Sequence, residues 1–249
     1  TYCYSSRPYG MAEQIKKQIM DALTDEILHS DVPIEHHFGD AKQQNAASKF
    51  LANISFTSVQ KVLSAAKQGM EFFQECASAL AKENKPIHWR TPIGFPVTQK
   101  KTRWKSEKIK VYLYDRTAKV KKRAQIGLKS PDGDKICVRQ SKSGISPNII
   151  HSMDSSHLLS TVLALKDNGI NDFMLIHDSF AVPCESSWDL FSIVRETFKE
   201  QYSGFCLYSM IYDATLAQLS DTIPLDDLAL PNKGHLDLLV IAESDFCFA

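Results

Sequence analysis

Hydrophobic and polar positions along the chain follow two periods, one typical of helices and one typical of short strands. Residues 10–29 and 186–202 have apolar side chains at helical spacing, and residues 46–82 form an alanine-rich helical pattern that we expect to be broken near residues 53–58. Another helix is predicted for residues 146–166, where a capping serine is followed by proline. In the helix of residues 186–202, the side chains expected in the core are Trp188, Phe191, Val194 and Phe198.

Strand patterns are short and are separated by turn residues. Residues 87–90 and 95–99 are predicted to pair as a hairpin, because the sequence between them contains proline and glycine. Alternation predicts a further strand at residues 109–114, and the segment SPDGD at residues 130–134 predicts a turn. Helices and antiparallel strands together indicate an α+β fold.

A second hairpin is the most informative local pattern. Residues 173–176 have the composition of a buried strand, and residues 180–182 are predicted to return beside it, which places His177 and Asp178 at the turn. A charged carboxylate beside a packed sheet is unfavourable unless it is hydrogen-bonded, paired or bound to a metal. Asp178 is therefore a candidate functional residue, although a solvated turn aspartate is the alternative.

Composition indicates an ordinary soluble globular protein. The chain has 249 residues, of which 43% are hydrophobic and 23% charged, enough for one large domain or two small ones. We expect no membrane partner, since no apolar run reaches membrane-spanning length. The six cysteines are scattered, which favours reduced thiols over disulfides or zinc. Because the first residue is Thr1, we expect the chain to begin inside a longer protein.

Charge is unevenly distributed although the formal net charge is zero. Residues 100–142 contain fifteen Lys or Arg against four acidic residues, whereas residues 219–249 are acidic. The aromatic side chains Trp104, Tyr112 and Tyr114 lie among these basic residues. Interleaved aromatic and basic residues indicate a surface for nucleic acid, and a solvated basic loop is the alternative.

The helix that begins at Ser146 contains a second candidate group. His151, Asp154 and His157 recur every three residues, which we interpret as one face of the helix. This spacing differs from that of zinc proteases, so a phosphate or base contact from His151 is favoured over a metal role.

Several segments together resemble one family. The segments are SPNIIHSMDSSHL (146–158), IHDSF (176–180), IHWRTPIGFPV (87–97), ESDFCFA (243–249) and YSSRPYG (4–10). Taken in their order along the chain, they are similar to the C-terminal catalytic region of the single-subunit, bacteriophage-type DNA-directed RNA polymerases, which also serve mitochondria and chloroplasts. The resemblance implies the C-terminal part of a helix-rich right-hand polymerase. Residues 1–84 would derive from the fingers, and residues 85–249 from an antiparallel palm and a C-terminal segment, with a basic insertion around residues 100–142.

The resemblance also implies roles for individual residues. Asp178 matches the second catalytic, metal-binding aspartate, while His177 and His151 match positions near the transcript and the nucleotide. Tyr4 matches the tyrosine that helps to select ribonucleotides, although Ser5 replaces the usual glycine and Tyr9 is the competing choice. The residues that match the closing aromatic segment are Phe246, Phe248 and Ala249.

The implied activity is templated nucleotidyl transfer from NTPs with two magnesium ions, on a DNA template with an RNA product. The first metal-binding aspartate and the triphosphate-binding Arg and Lys of the family would precede Thr1, so we expect the chain to need the upstream polymerase segment as a partner. The implied location is the cytoplasm of a phage-infected bacterium, or alternatively a mitochondrion or plastid. Two other classes stay open, namely a fragment of a family-A DNA polymerase and a non-catalytic nucleic-acid-binding or assembly module.

Overall fold

Helices dominate the computed structural model, which describes residues 7–31, 35–115, 120–220, 229–244 and 247. The chain divides into two units, Thr1–Phe72 and Phe73–Ala249, so that the division falls within one helix. The predicted separation of fingers and palm after residue 84 concerns polymerase subdomains and stays a prediction.

The first unit is helical, as the apolar spacing predicted. Its elements are α1 (Pro8–Ile15), a π-helical segment (Lys16–Asp21), α2 (Ala22–Leu28) and α3 (Ala41–Val62). Pro8 stands at the start of α1, where a missing backbone N–H does no harm. The buried apolar residues Ala12, Met20 and Ala52 belong to this unit.

The interruption in the long second helical pattern is not where it was predicted. Helix α3 runs unbroken through residues 53–58 and ends at Val62, and α4 (Ser64–Lys82) begins after the single cap residue Leu63. The Thr57 hydroxyl donates to the carbonyl oxygen of Asn53 at 2.9 Å, so this polar side chain is satisfied inside the helix. Asp40 and Gln43 form a capping box at the start of α3, which places its first residue earlier than predicted.

The first strands pair as the sequence predicted. Strands β1 (Ile87–Arg90) and β2 (Pro96–Gln99) form an antiparallel hairpin in which Ile87 is opposite Gln99. Gly94 closes the turn with a backbone φ of +86°.

A long basic hairpin follows, built from β3 (Thr102–Asp115) and β4 (Val120–Ile136). The turn predicted at residues 130–134 is wrong, because these residues lie within β4. Thr102 pairs with Ile136 and Trp104 with Pro131, so the segment containing Gly133, at φ +60°, accommodates an irregularity in the ladder instead of reversing the chain.

Helix α5 (Val138–Asp167) begins eight residues before the predicted start at Ser146. Pro147 consequently lies inside the helix, and Ser146 is buried. The earlier start is fixed by packing, because Ile145 is fully buried and Gln99 donates to the carbonyl oxygen of Ser141 at 3.0 Å. Tertiary contacts thus override the local capping signal.

Helix α5 also holds the β1–β2 hairpin. Buried Trp89 donates through Nε1 to the hydroxyl of Ser152 at 3.0 Å, and this hydroxyl donates to the carbonyl oxygen of Ile149. Asn148 also donates to Gln99. The first strands are therefore tied to α5 by buried hydrogen bonds as well as by apolar packing.

The remaining elements surround the second predicted hairpin. They are β5 (Met174–Ile176), β6 (Ser179–Ala181), a 3₁₀ turn (Cys184–Ser186), α6 (Ser187–Ser203), α7 (Leu207–Leu216) and α8 (Leu239–Glu243). In α6, Val194 is buried, but the prediction that Trp188 and Phe191 belong to the core is wrong, since 78% and 37% of their surfaces are exposed. The rings of Trp188 and Phe191 meet edge to face, with their centroids 5.8 Å apart.

The described strands form three separate two-stranded antiparallel sheets, which with the helices confirm the predicted helix-rich α+β class. None of the described helices has the length and apolar character needed to cross a bilayer.

Candidate active site

The β5–β6 hairpin carries Asp178 at its tip. Ile176 pairs with Ser179, which leaves His177 and Asp178 as a two-residue turn. His177 has a φ of +56°, in the left-handed region that the first residue of such turns adopts. Both side chains are exposed, so the predicted position of a carboxylate at a turn is confirmed. The prediction that the strand before it is buried is wrong, because Met174 and Ile176 are largely exposed in a hairpin of only two short strands.

A second carboxylate on α5 lies in the same electrostatic environment. Partial desolvation raises the pKa of Asp154, the nearby His151 opposes this shift, and the negative charge of Asp178 adds to it. The fold therefore brings the exposed residues His151 and Asp154 close to the Asp178 hairpin. Negative charge accumulates at Asp154 and Asp178, which is the condition that attracts a cation.

His157 differs from the other two members of the helix motif. It is buried, with 5% of its surface exposed, and its Nε2 lies 2.9 Å from the carbonyl oxygen of Val194 in α6. Burial lowers the pKa of the imidazole, although the bond to Val194 and the charge of Asp154 oppose that shift. The prediction that His151, Asp154 and His157 share one polar face is therefore wrong for His157.

A cleft of about 320 Å³ opens beside Asp178. Its lining residues are Asp178, Ser179, Phe180, Ser187, Leu190, Phe191, Val194 and Arg195. The sequence reading missed Arg195, which is 2% exposed although it is charged. Its guanidinium lies 3.3 Å from the centroid of the Phe191 ring, one helical turn earlier, and this four-residue spacing was the available signal.

Arg195 also links α6 to the C-terminal part of the chain. It donates through Nη1 to the carbonyl oxygen of Phe191 at 3.1 Å and through Nη2 to that of Ser244 at 3.3 Å. The predicted C-terminal residues Phe246, Phe248 and Ala249, and the predicted nucleotide-selecting Tyr4, lie outside the described residues.

Another cleft, of about 460 Å³, lies between the β1–β2 hairpin and α5. It is lined by Thr91, Phe95, Val97, Thr98, Asn148, His151, Ser152, Ser155, Ser156 and Leu159. Its polar groups are hydroxyls, an amide and the His151 imidazole, which suit hydrogen bonds to sugars and bases better than a free phosphate.

The basic hairpin has two chemically different faces. Directly paired residues share a face, so the pairs Tyr112 with Arg123 and Tyr114 with Lys121 lie on one side together with Lys110. The opposite side carries apolar pairs such as Ile109 with Ile126. Exposed aromatic rings and cations therefore occupy one face of β3 and β4, which we call the basic face.

Within the described part of the chain, no three His, Cys, Asp or Glu side chains form a group that could hold a metal ion. Asp178 offers a single exposed carboxylate with Asp154 behind it. Such hard oxygen donors suit magnesium, but they do not complete a site by themselves.

Comparison with known proteins agrees with the family resemblance. A family model described as DNA-dependent RNA polymerase matches residues 1–223. T7 RNA polymerase of Escherichia phage T7 is 31% identical over all of this chain, which corresponds to 28% of its own length. DNA-directed RNA polymerase 2, chloroplastic/mitochondrial, of Arabidopsis thaliana is 31% identical over all of this chain and 22% of its own length. The DNA-directed RNA polymerase of Enterobacteria phage K11 is 35% identical over 82% of this chain and 24% of its own length.

Proposed function

Because this chain belongs to the phage-type DNA-dependent RNA polymerase family, we propose that it contributes one catalytic carboxylate, Asp178, to templated RNA synthesis. The chain spans less than a third of the length of the curated relatives described above. The remaining part of the active site would come from a polymerase segment upstream of these residues, either joined to the chain or associated with it.

The position of Asp178 is the observation that carries this proposal. Its carboxylate is exposed at the tip of a tight turn, and its charge raises the pKa of Asp154 behind it. A bound cation would relieve this accumulation of negative charge, and magnesium is the cation that fits carboxylate oxygens. When bound, magnesium supplies Lewis-acid stabilisation to phosphoryl transfer between an RNA 3′-hydroxyl and an NTP.

Other residues of the chain would bind and orient the substrates. His177 is exposed beside Asp178, and His151 lines the cleft between α5 and the β1–β2 hairpin. We assign His177 to a contact with the nucleotide and His151 to a contact with the growing transcript. The hydroxyl and amide groups that line the cleft beside His151 can form hydrogen bonds to sugars and bases. Tyr4 is assigned to ribonucleotide selection, and the segment of Phe246, Phe248 and Ala249 to the same catalytic region.

We assign to the basic face of β3 and β4 the binding of nucleic-acid phosphates. Its cations lie next to the exposed rings of Tyr112 and Tyr114, so that it combines charge with surfaces for stacking. The template or its duplex is the proposed partner. Phage, mitochondrial and chloroplast relatives are all similar to this chain, so the compartment stays open between a phage-infected cell and an organelle.

The test compares NTP incorporation by this chain alone with incorporation by its complex with the upstream segment, on an RNA-primed DNA template with Mg²⁺. We expect no templated incorporation by the isolated chain, because one carboxylate does not complete a two-metal site. In the complex, Asp178→Asn should reduce incorporation by at least about a hundredfold, the scale seen when a group that stabilises the transition state is removed.

Asp172→Asn is the matched control, since Asp172 is also exposed and precedes the same hairpin. It should leave incorporation unchanged, and both variants should bind the primed template as the unaltered complex does. Full activity of Asp178→Asn would favour a non-catalytic nucleic-acid-binding or assembly module. Preference for dNTPs over NTPs would favour the family-A DNA polymerase alternative, and templated incorporation by the isolated chain would refute the need for the upstream segment.

A further inference from the structure

His157 lies where the catalytic hairpin meets α5 and α6. The ring centroids of His157 and Phe180 are 5.8 Å apart with an interplanar angle of 69°, and those of His157 and Phe198 are 5.2 Å apart at 89°. Phe180 is two residues after Asp178 in β6, whereas Phe198 belongs to α6. One buried imidazole thus makes edge-to-face contacts with both the hairpin and the helix behind it.

The hydrogen bonds around His157 define its protonated nitrogen. A carbonyl oxygen can only accept, so the 2.9 Å contact between Nε2 and the oxygen of Val194 requires an N–H at Nε2. The hydroxyls of Thr161 and Thr197 lie 3.4 Å and 3.2 Å from the same nitrogen. Each hydroxyl has its own backbone acceptor, at His157 and Ile193 respectively, so their lone pairs can face the N–H.

The hairpin cannot fix its own position. Its strands have three residues each, and a two-stranded hairpin of this size is marginally stable by itself. Its tip nevertheless has to hold a carboxylate within a fraction of an ångström of a productive geometry, because misplacement by about 1 Å can lower a rate about a hundredfold. Contacts from outside the hairpin must therefore fix the position of the carboxylate.

We propose that His157 is a positioning residue that locks the Asp178 hairpin to α6 through its ring contact with Phe180 and its N–H bond to Val194. The proposal rests on the proposed function, in which Asp178 is the carboxylate that must be placed. His157 touches no substrate in this role, and it acts through Phe180. The two threonine hydroxyls hold the imidazole in the required orientation.

The test is amide hydrogen exchange of residues 174–182 in the full chain, which needs neither metal nor substrate. His157→Leu removes both contacts and should speed exchange in the hairpin at least tenfold. His157→Gln keeps an N–H donor but loses the ring, so it should restore part of the protection. Phe180→Leu leaves the buried helix contacts intact and should also speed exchange, and adding His157→Gln to it should have little further effect.

Ile145→Ala is the control for general loss of packing. Ile145 is fully buried in the same helix, twelve residues from His157 and therefore about 18 Å away along the axis. The two variants are compared under conditions in which each has lost the same free energy of unfolding. Amide exchange in the hairpin should then be slower in Ile145→Ala than in His157→Leu. Equal exchange in the two variants, or additive effects of His157→Gln and Phe180→Leu, would overturn the proposal.

A second readout uses the complex with the upstream segment. His157→Leu should raise the Mg²⁺ concentration needed for half-maximal NTP incorporation, whereas a variant that only lowers the folded fraction should leave it unchanged. An unaltered Mg²⁺ requirement would contradict placement of Asp178 by His157. If the unaltered complex incorporates no NTP, the proposed function fails, but the exchange experiment still decides whether His157 locks the hairpin.

Discussion

His177 adopts a backbone conformation that glycine adopts at less energetic cost. Its φ of +56° satisfies the tight turn that carries Asp178, and histidine is among the few other residue types that occur there with some frequency. A glycine would serve the turn equally well without a side chain. The less favourable backbone conformation of His177, beside the proposed catalytic carboxylate, is consistent with the proposed contact of its side chain with the nucleotide.

Substitutions of His151 and Asp178 should shift the pKa of Asp154 in opposite directions. Asp178→Asn removes a charge that raises the pKa of Asp154, so we expect that pKa to fall. His151→Gln removes a group that lowers it, so the pKa should rise. Carbon-13 NMR of the Asp154 carboxyl against pH measures both changes.

Asp172→Asn serves again as the control and should leave the titration of Asp154 unchanged. Because the folded-state pKa of Asp154 lies above its ordinary value of 3.8, ionisation opposes folding, and its contribution to stability declines as pH rises from 3.8 through the raised pKa. Shifts of the same sign in Asp178→Asn and His151→Gln would contradict the arrangement of charges described above.

Helical geometry explains why His151 lies on an exposed face as predicted, whereas His157 does not. Residues three apart are separated by about 300° around an α-helix, so over six residues the direction drifts by about 120°. His151 consequently faces solvent, and His157 turns into the packing between α5 and α6. The spacing of the motif predicted a polar face, but only the packing against the partner helix determines which member is buried.

The basic face should bind nucleic acid with a strong dependence on salt. Replacing Lys110, Lys121 and Arg123 with Gln should weaken binding of duplex DNA and flatten the plot of log affinity against log salt concentration. Each lost phosphate contact should change the slope by about 0.9. Fluorescence anisotropy over a range of salt concentrations measures the slope.

The matched control replaces the exposed residues Lys42, Lys49 and Lys61 of α3 with Gln. This triple variant loses the same amount of positive charge. These substitutions should affect binding much less. An equal change in slope for both triple variants would mean that net charge, and not the basic face, determines binding.

The bounds of elements were predicted better from apolar and alternating patterns than from a single capping or turn signal. Residues 87–90, 95–99 and 186–202 lie where the pattern placed them, to within one or two residues. The capping signal at Ser146 and the turn signal at residues 130–134 were overridden, because a buried Ile145 extends α5 and a paired β3 extends β4. Local signals weigh about 1 kcal/mol, so packing of a whole element can reverse them.

For the whole molecule, membership of the polymerase family could be predicted because several motifs occur in one order along the chain. The sequence also placed Asp178 at a turn, since the apolar runs on both sides of it are visible without a structure. It could not identify the hydrogen bond from Arg195 to Ser244 or the one from Trp89 to Ser152. Those contacts join residues far apart in sequence, and no local period signals them.

The buried hydroxyls and amides around α5 have a consequence for the thermodynamics of the chain. They are Ser141, Ser146, Ser152, Ser156, Thr161, Thr197 and Gln201. On unfolding, exposed polar surface lowers the heat capacity by about 0.26 cal/mol/K per Å², whereas exposed apolar surface raises it by about 0.45. Scanning calorimetry should therefore give a heat-capacity change per residue below the usual range of about 12–15 cal/mol/K, and a flatter stability curve over temperature. A value at or above that range would show that apolar burial dominates after all.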